Sequence, residues 1–111
     1  MMYSQGDILL VPIPFTDLTS VKKRPVVVIS KDIYNSQTED IIVAAVTSNI
    51  RGIKYEEIFD NEDMSEGKIP TASCIRTDKI YTLSKEIILK KYGKISSKKI
   101  KKIVIKICDL F

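Results

Sequence analysis

Residues 6–30 read GDILLVPIPFTDLTSVKKRPVVVIS, and the reading of this stretch decides the fold. Gly6 opens an apolar run, Ile8 to Val11, and a second run, Val26 to Ile29, follows Pro25. Runs of Val, Ile and Leu of this length, bounded by Gly, Pro and polar residues, indicate buried strands. Proline has no N–H to give to a ladder, so Pro25 is expected at the first residue of the second strand. Between the two runs lies a polar loop holding Thr16, Asp17, Thr19 and Ser20, which ends in Lys22-Lys23-Arg24. Arg24 is thereby expected where a loop meets a strand, a rigid base from which a guanidinium can reach a ligand.

Working outward, Lys31 to Asp40 is polar and reads as a loop or a short turn of helix. Ile41 to Val46, IIVAAV, is a third apolar run ending in Thr47-Ser48-Asn49, which places hydroxyls at a strand end. Lys54 to Phe59 forms a fourth strand with Tyr55 and Ile58 as its apolar members, and Asp60 to Lys68 reads as an acidic exposed loop. Thr71 to Thr77 alternates as a half-buried strand, with Arg76 beside small residues and Asp78 two residues on as its natural partner. Ile80 to Leu83 and Glu86 to Leu89 are short apolar stretches around a Ser84-Lys85 turn, and Gly93 breaks the chain. Ser96-Ser97 offers an N-cap, and Ile100, Ile103, Val104 and Ile107 follow at helical spacing with lysines between them. Five or six short strands and one terminal helix predict a mainly β fold, a small curved sheet or partly open barrel covered by the helix.

The 111 residues suit one domain spanning 1–111, and hydrophobic residues at 44% against 29% charged argue for a folded core rather than disorder. The start, MMYSQGDI, lacks a basic region followed by an apolar stretch, so no signal peptide is expected, and no apolar segment is long enough for a bilayer. A cytoplasmic location follows as the default expectation, with no membrane partner. Cys74 and Cys108 are expected to be buried free thiols. The chain has no histidine, which removes the commonest metal ligand and the usual acid/base residue, and its Cys and carboxylates are too scattered for a zinc site. No cofactor or metal is therefore expected. The net charge of +4 tilts toward polyanions, although lysines that merely solvate the last helix account for much of it.

Three arginines stand out: Arg24, Arg51 and Arg76. A guanidinium presents a fork of donors that matches two phosphate oxygens at once. Arg24, Arg76 and Thr47 all fall at expected strand ends. If those ends meet at one rim, they form a pocket with two guanidiniums and a hydroxyl. Taken singly, each arginine is better explained by a surface or loop-bridging ion pair.

GDILLVPIPFTDLTSVKKRPVVVIS resembles the opening block of the MazF/PemK-type toxin family, with its Gly-Asp, Pro-Phe pair and Arg-Pro before a Val/Ile run. IIVAAVTSNI and SCIRTDKIYTL are similar to the second and third blocks, in the same order. The resemblance implies an SH3-like barrel with a C-terminal helix, a homodimer, and the toxin half of a type II toxin–antitoxin pair. It also implies a sequence-selective, metal-independent endoribonuclease acting on single-stranded RNA. The arginine, threonine and Arg-x-Asp of the three blocks map onto Arg24, Thr47, Arg76 and Asp78 as catalytic residues. A histidine used in the first loop by some relatives has no counterpart here.

RNA cleavage by attack of a 2′-hydroxyl on its own phosphate makes sense of these residue types, because it needs charge stabilisation more than a metal. Arg24 would stabilise the phosphorane, Thr47 would position the phosphate or the 2′-hydroxyl, and Asp78 is either a base or an orienter of Arg76. Phe15 would stack a base, with Thr16, Lys22, Lys23, Pro25, Ser48 and Asn49 as further substrate contacts. The antitoxin would be an acidic, partly disordered peptide that folds over the basic cleft. The rival reading is a non-catalytic RNA- or peptide-binding barrel, since fold does not fix function.

Overall fold

The computed structural model describes residues 2–13 and 22–111. Among these, seven strands form one antiparallel sheet: β1 (Asp7–Ile13), β2 (Lys22–Val28), β3 (Asp40–Thr47), β4 (Glu56–Phe59), β5 (Met64–Gly67), β6 (Ser73–Ser84) and β7 (Lys90–Ile95). Their spatial order is β4-β6-β3-β2-β1-β7-β5, curled into an SH3-like half-barrel. A short helix, α1 (Asp32–Gln37), connects β2 to β3, and α2 (Ser97–Cys108) ends the fold. No helix among the described residues is long and apolar enough to cross a membrane.

The central strands are apolar without interruption because both of their faces are covered. On one face Val27 joins Ile8, Phe59, Ile75 and Ile95 beneath Ile100 and Ile103 of α2. On the other, Val26 and Val28 meet Leu9, Val11, Ile41 and Val43. Alternate residues of one run thus feed two cores. The expected amphipathic helix is present: the Ser96 hydroxyl accepts the Lys99 N–H, and Ile100 and Ile103 are buried. Lys99 and Lys106 each place Nζ 2.8 Å from the Glu57 carboxylate and fasten α2 to β4.

The structure corrects several expectations. Pro25 lies inside β2, paired with Leu10 of β1, and Lys22 to Arg24 belong to the strand rather than to a loop. The ladder between β2 and β3 begins only at Val26, so the proline sits where pairing on that side has ended. Gly93 does not break the chain but lies within β7, where a Cβ would come 2.3 Å from the Glu66 carbonyl oxygen of β5. Residues 60–68 contain a 3₁₀ turn (Asn61–Asp63) and β5 instead of one loop. β4 begins at Glu56 rather than at Lys54, and Tyr55 and Ile58, expected as its apolar members, are exposed while Glu56 and Phe59 are buried. Residues 80–84 continue β6, so that strand runs to Ser84, and Glu86–Leu89 is a 3₁₀ turn and its exit rather than a strand. Cys74 is a buried free thiol, as expected, but Cys108 is exposed.

Candidate active site

The site lies beside the end of β3, against residues within β2 and β6, so Thr47 is at a strand end but Arg24 and Arg76 are not at the strand ends expected of them. Arg24 leaves β2 opposite Val11, and Thr47 is the last residue of β3. Between β3 and β6 the register jumps: Ala44 pairs with Ile80, but Ala45 pairs with Arg76. Thr77, Asp78 and Lys79 therefore leave the ladder as a bulge, which turns their backbone and re-aims the side chains beside Arg76. Thr77 is tied down there, its N–H and its hydroxyl both donating to the Tyr55 carbonyl at 2.9 and 3.2 Å.

These segments enclose an open cavity of about 430 Å³ lined by Arg24, Thr47, Asn49, Arg51, Arg76 and Lys79, with Ala45 and Val46 also bordering it. Four cations share one cavity. A second, more apolar cleft of about 240 Å³ lies on the other side of Arg24 and Thr47. Pro25, Ile69, Pro70 and Tyr92 form its walls, and Ser48, Thr71 and Ser73 place hydroxyls on it. Arg24 and Thr47 line both spaces, so they stand at the junction between a cationic and an apolar compartment.

Arg76 and Asp78 form a bidentate pair, Nε to Oδ1 and Nη2 to Oδ2 both at 2.9 Å. The hydrogen bonds from Arg76 hold the Asp78 carboxyl below the usual carboxylate range, and the same bonds raise the guanidinium's pKa. Asp78 is thus a poor proton acceptor at neutral pH. The Thr47 hydroxyl accepts the Asn49 N–H at 3.1 Å, which leaves its own proton to donate toward the cavity. Beneath the rim, Glu56 is 6% exposed and accepts the backbone N–H groups of Arg51, Gly52 and Ile53, the shortest at 2.8 Å. Burial alone would raise its pKa, but these bonds and the Cys74 thiol outweigh it and hold the carboxylate ionised. Cys74 pays the other side of that arrangement: desolvation and the bond to Glu56 push its thiol up to about 11, so it is unreactive at neutral pH.

The family model of PemK-like, MazF-like toxins of type II toxin–antitoxin systems matches residues 4–111. The chain belongs to this family. It is 32% identical over 108 residues to Endoribonuclease MazF of Staphylococcus saprophyticus, a match that covers 92% of this chain and 85% of that protein. It shares its fold with a MazF solved with MazE from Deinococcus radiodurans, at a TM-score of 0.79 and 17% identity, covering 99% of this chain and 96% of the other. A mycobacterial endoribonuclease solved in complex with its cognate antitoxin superimposes at a TM-score of 0.78 and 18% identity, covering 96% and 92% of the two chains.

In this PemK/MazF-family toxin, Arg24, Thr47, Asn49 and Arg76 border one cavity, and Asp78 is held on Arg76. Pro25 and Ser48 face the apolar cleft. Lys22 and Lys23 are exposed on β2 and line neither space. Phe15 and Thr16 lie outside the described residues. Lys79 and Glu56 are not among the candidate residues the sequence marks, and Arg51 has no site role there. Arg51-Gly52 with an acid four residues on is a weak signal of a loop closed on a carboxylate, and nothing in the sequence marks Lys79.

Proposed function

We propose that this toxin is a metal-independent endoribonuclease that cleaves single-stranded RNA at selected sites in the cytoplasm. The observation that carries the proposal is the convergence of Arg24, Thr47 and Arg76 on one open cavity. The 2′-hydroxyl oxygen of one nucleotide forms a bond to the adjacent phosphorus, and the bond from phosphorus to the 5′-oxygen breaks. The fragments carry a 2′,3′-cyclic phosphate and a 5′-hydroxyl. The 2′-hydroxyl proton leaves to a base, and the departing 5′-oxygen gains a proton.

Arg24 and Arg76 stabilise the charge that builds on the phosphorane, which is worth most where water is partly excluded. The high pKa of a guanidinium makes Arg24 a weak general acid, so charge stabilisation is its chief contribution. Thr47 donates its hydroxyl proton to a phosphate oxygen. Asp78 fixes the guanidinium plane of Arg76 and takes no proton itself. The apolar cleft beside Arg24 and Thr47 accepts a splayed base between Tyr92 and the prolines, with Ser48 and Ser73 reading its edge. Two copies of the chain pair as a homodimer, and an acidic, partly disordered antitoxin covers the cationic cavity and excludes RNA.

The deciding experiment incubates purified protein with a long single-stranded RNA in excess EDTA, beside Arg24→Ala. Cleavage at a few discrete sites, with cyclic-phosphate ends and loss of cutting in the variant, supports the proposal. RNA bound but left intact by the wild type points to a binding barrel without catalysis.

A further inference from the structure

We propose that Glu56 is a positioning residue that holds Arg51 over the cavity, where Arg51 and Lys79 take up an RNA phosphate next to the one that is cleaved. The inference rests on the endoribonuclease reading, but it concerns residues to which that mechanism gives no role.

The loop between β3 and β4 runs from Ser48 to Tyr55 and has few backbone bonds of its own, with Ile50 to Ser48 and Glu56 to Ile53 closing its two ends. Its middle is held by a side chain. One carboxylate, that of Glu56, gathers three successive N–H groups, and Gly52 supplies the left-handed backbone (φ 75°) that turns them all inward. Such a concave run of amides is an anion site, and here the chain has filled it with its own anion. The Glu56 carboxylate is buried and also meets the Cys74 thiol, so an exposed loop is fixed from beneath by a group inside the fold.

The direction of this anchor matters. Glu56 pairs across the ladder with Arg76, so the loop is anchored on the rung that carries a proposed catalytic arginine. Arg51 itself is exposed, lines the cavity, and among the described residues its guanidinium takes part in no ion pair. Lys79, on the bulge of β6, lines the same cavity. An exposed arginine whose backbone is fixed by a buried acid is pre-organised for a ligand, because less freedom is lost on binding. Arg24 and Arg76 serve the reacting phosphate. A single-stranded substrate brings a neighbouring phosphate within the same cavity, and a guanidinium with an ammonium is the pair that neutralises it.

The test measures steady-state cleavage of a single-stranded RNA and, separately, the salt dependence of binding to an uncleavable 2′-deoxy strand of the same sequence. Arg51→Ala is expected to raise KM about tenfold with kcat little changed, as the loss of one charge-assisted contact requires. It should also lower the slope of log affinity against log salt by about 0.7, one phosphate contact on a single strand. Glu56→Gln should raise KM in the same way, and should add nothing further in an Arg51→Ala background. If Glu56→Gln does not fold by circular dichroism, Gly52→Ala replaces it, because it strains the same loop without touching a charge. An unchanged KM and salt slope in Arg51→Ala overturns the proposal. So does a Glu56→Gln effect of equal size in both backgrounds, or tighter binding in both, which would make Glu56 a scaffold residue or a long-range charge. Failure of the endoribonuclease reading looks different: the wild type cuts no RNA, while the salt slope on the deoxy strand still reports the contact.

Discussion

At the seam between α2 and β4, Lys99 and Lys106 converge on Glu57, with Asp63 3.9 Å from Lys99, so two ammonium groups meet two carboxylates. Along the rim of the sheet, Arg24, Arg51, Arg76 and Lys79 surround a cavity in which Asp78 is committed to Arg76. Both regions gather basic residues from more than one place in the chain, and both include close ion pairs. They differ in ratio. Where cations and carboxylates are matched, the charge is consumed in joining two elements. Where cations are gathered around open space, the local potential is available to a polyanion. The lysines that dominate the composition therefore say little about function, and the few arginines at the rim say most.

The contrast between rim and seam depends most on Arg24. Arg24→Ala is expected to lower kcat about a hundred- to a thousandfold, as loss of one transition-state donor does, while the thermal midpoint stays near that of the wild type. Unchanged cleavage would move the chemistry away from the rim. A smaller effect is expected at Asp78, and it separates two roles. As the orienter of Arg76, Asp78→Asn costs about tenfold in kcat, since one hydrogen-bond acceptor survives, and the pH profile of kcat/KM keeps its shape above the ordinary carboxylate range. Removal of a general base would cost about 10²–10⁴ and abolish the acid limb of that profile. Because the pair with Arg76 lowers the pKa of Asp78, the pair is intact above the ordinary carboxylate range and is lost only as acid protonates Asp78.

Much of this architecture was legible in the sequence for a definite physical reason. Strands buried on both faces need continuous Val and Ile, and a helix with one covered stripe needs Ile100 and Ile103 at i, i+3, so β1, β2, β3 and α2 announce themselves. The parts that escaped depend on contacts distant in sequence. Gly93 reads as a breaker until the Glu66 carbonyl is placed where its side chain would be. Met64–Gly67 becomes a strand only by pairing with β7. Arg76 with Asp78 was readable because both partners are two residues apart, and the strand-end threonine because a hydroxyl follows an apolar run. The three-residue bulge that re-aims them arises from a register shift against β3, which no local pattern encodes. Glu56 escaped for the opposite reason: a buried carboxylate contradicts its own polarity and is explained only by the amides it collects.

A modest, pH-dependent loss of stability is expected at the matched seam. Burial raises the Glu57 pKa, but hydrogen bonds from Lys106 and Lys99 prevail and leave it below the ordinary value of 4.5. A carboxyl whose pKa is lower in the folded chain than in the unfolded one adds stability above the unfolded value, and that stability fades as pH falls through the folded value. Glu57→Gln should therefore cost about 1 kcal/mol at neutral pH, allowing for solvent around Lys106. The gap in thermal midpoint between variant and wild type should close as pH drops below about 4.5, read by circular dichroism melts across a pH series. RNA cleavage at neutral pH should not change beyond the small loss of folded protein, since Glu57, Lys99 and Lys106 do not line the cavity. A gap that is flat with pH would mean that Glu57 acts by packing alone, and the distinction between matched and gathered charge would then rest on the rim without its counterpart.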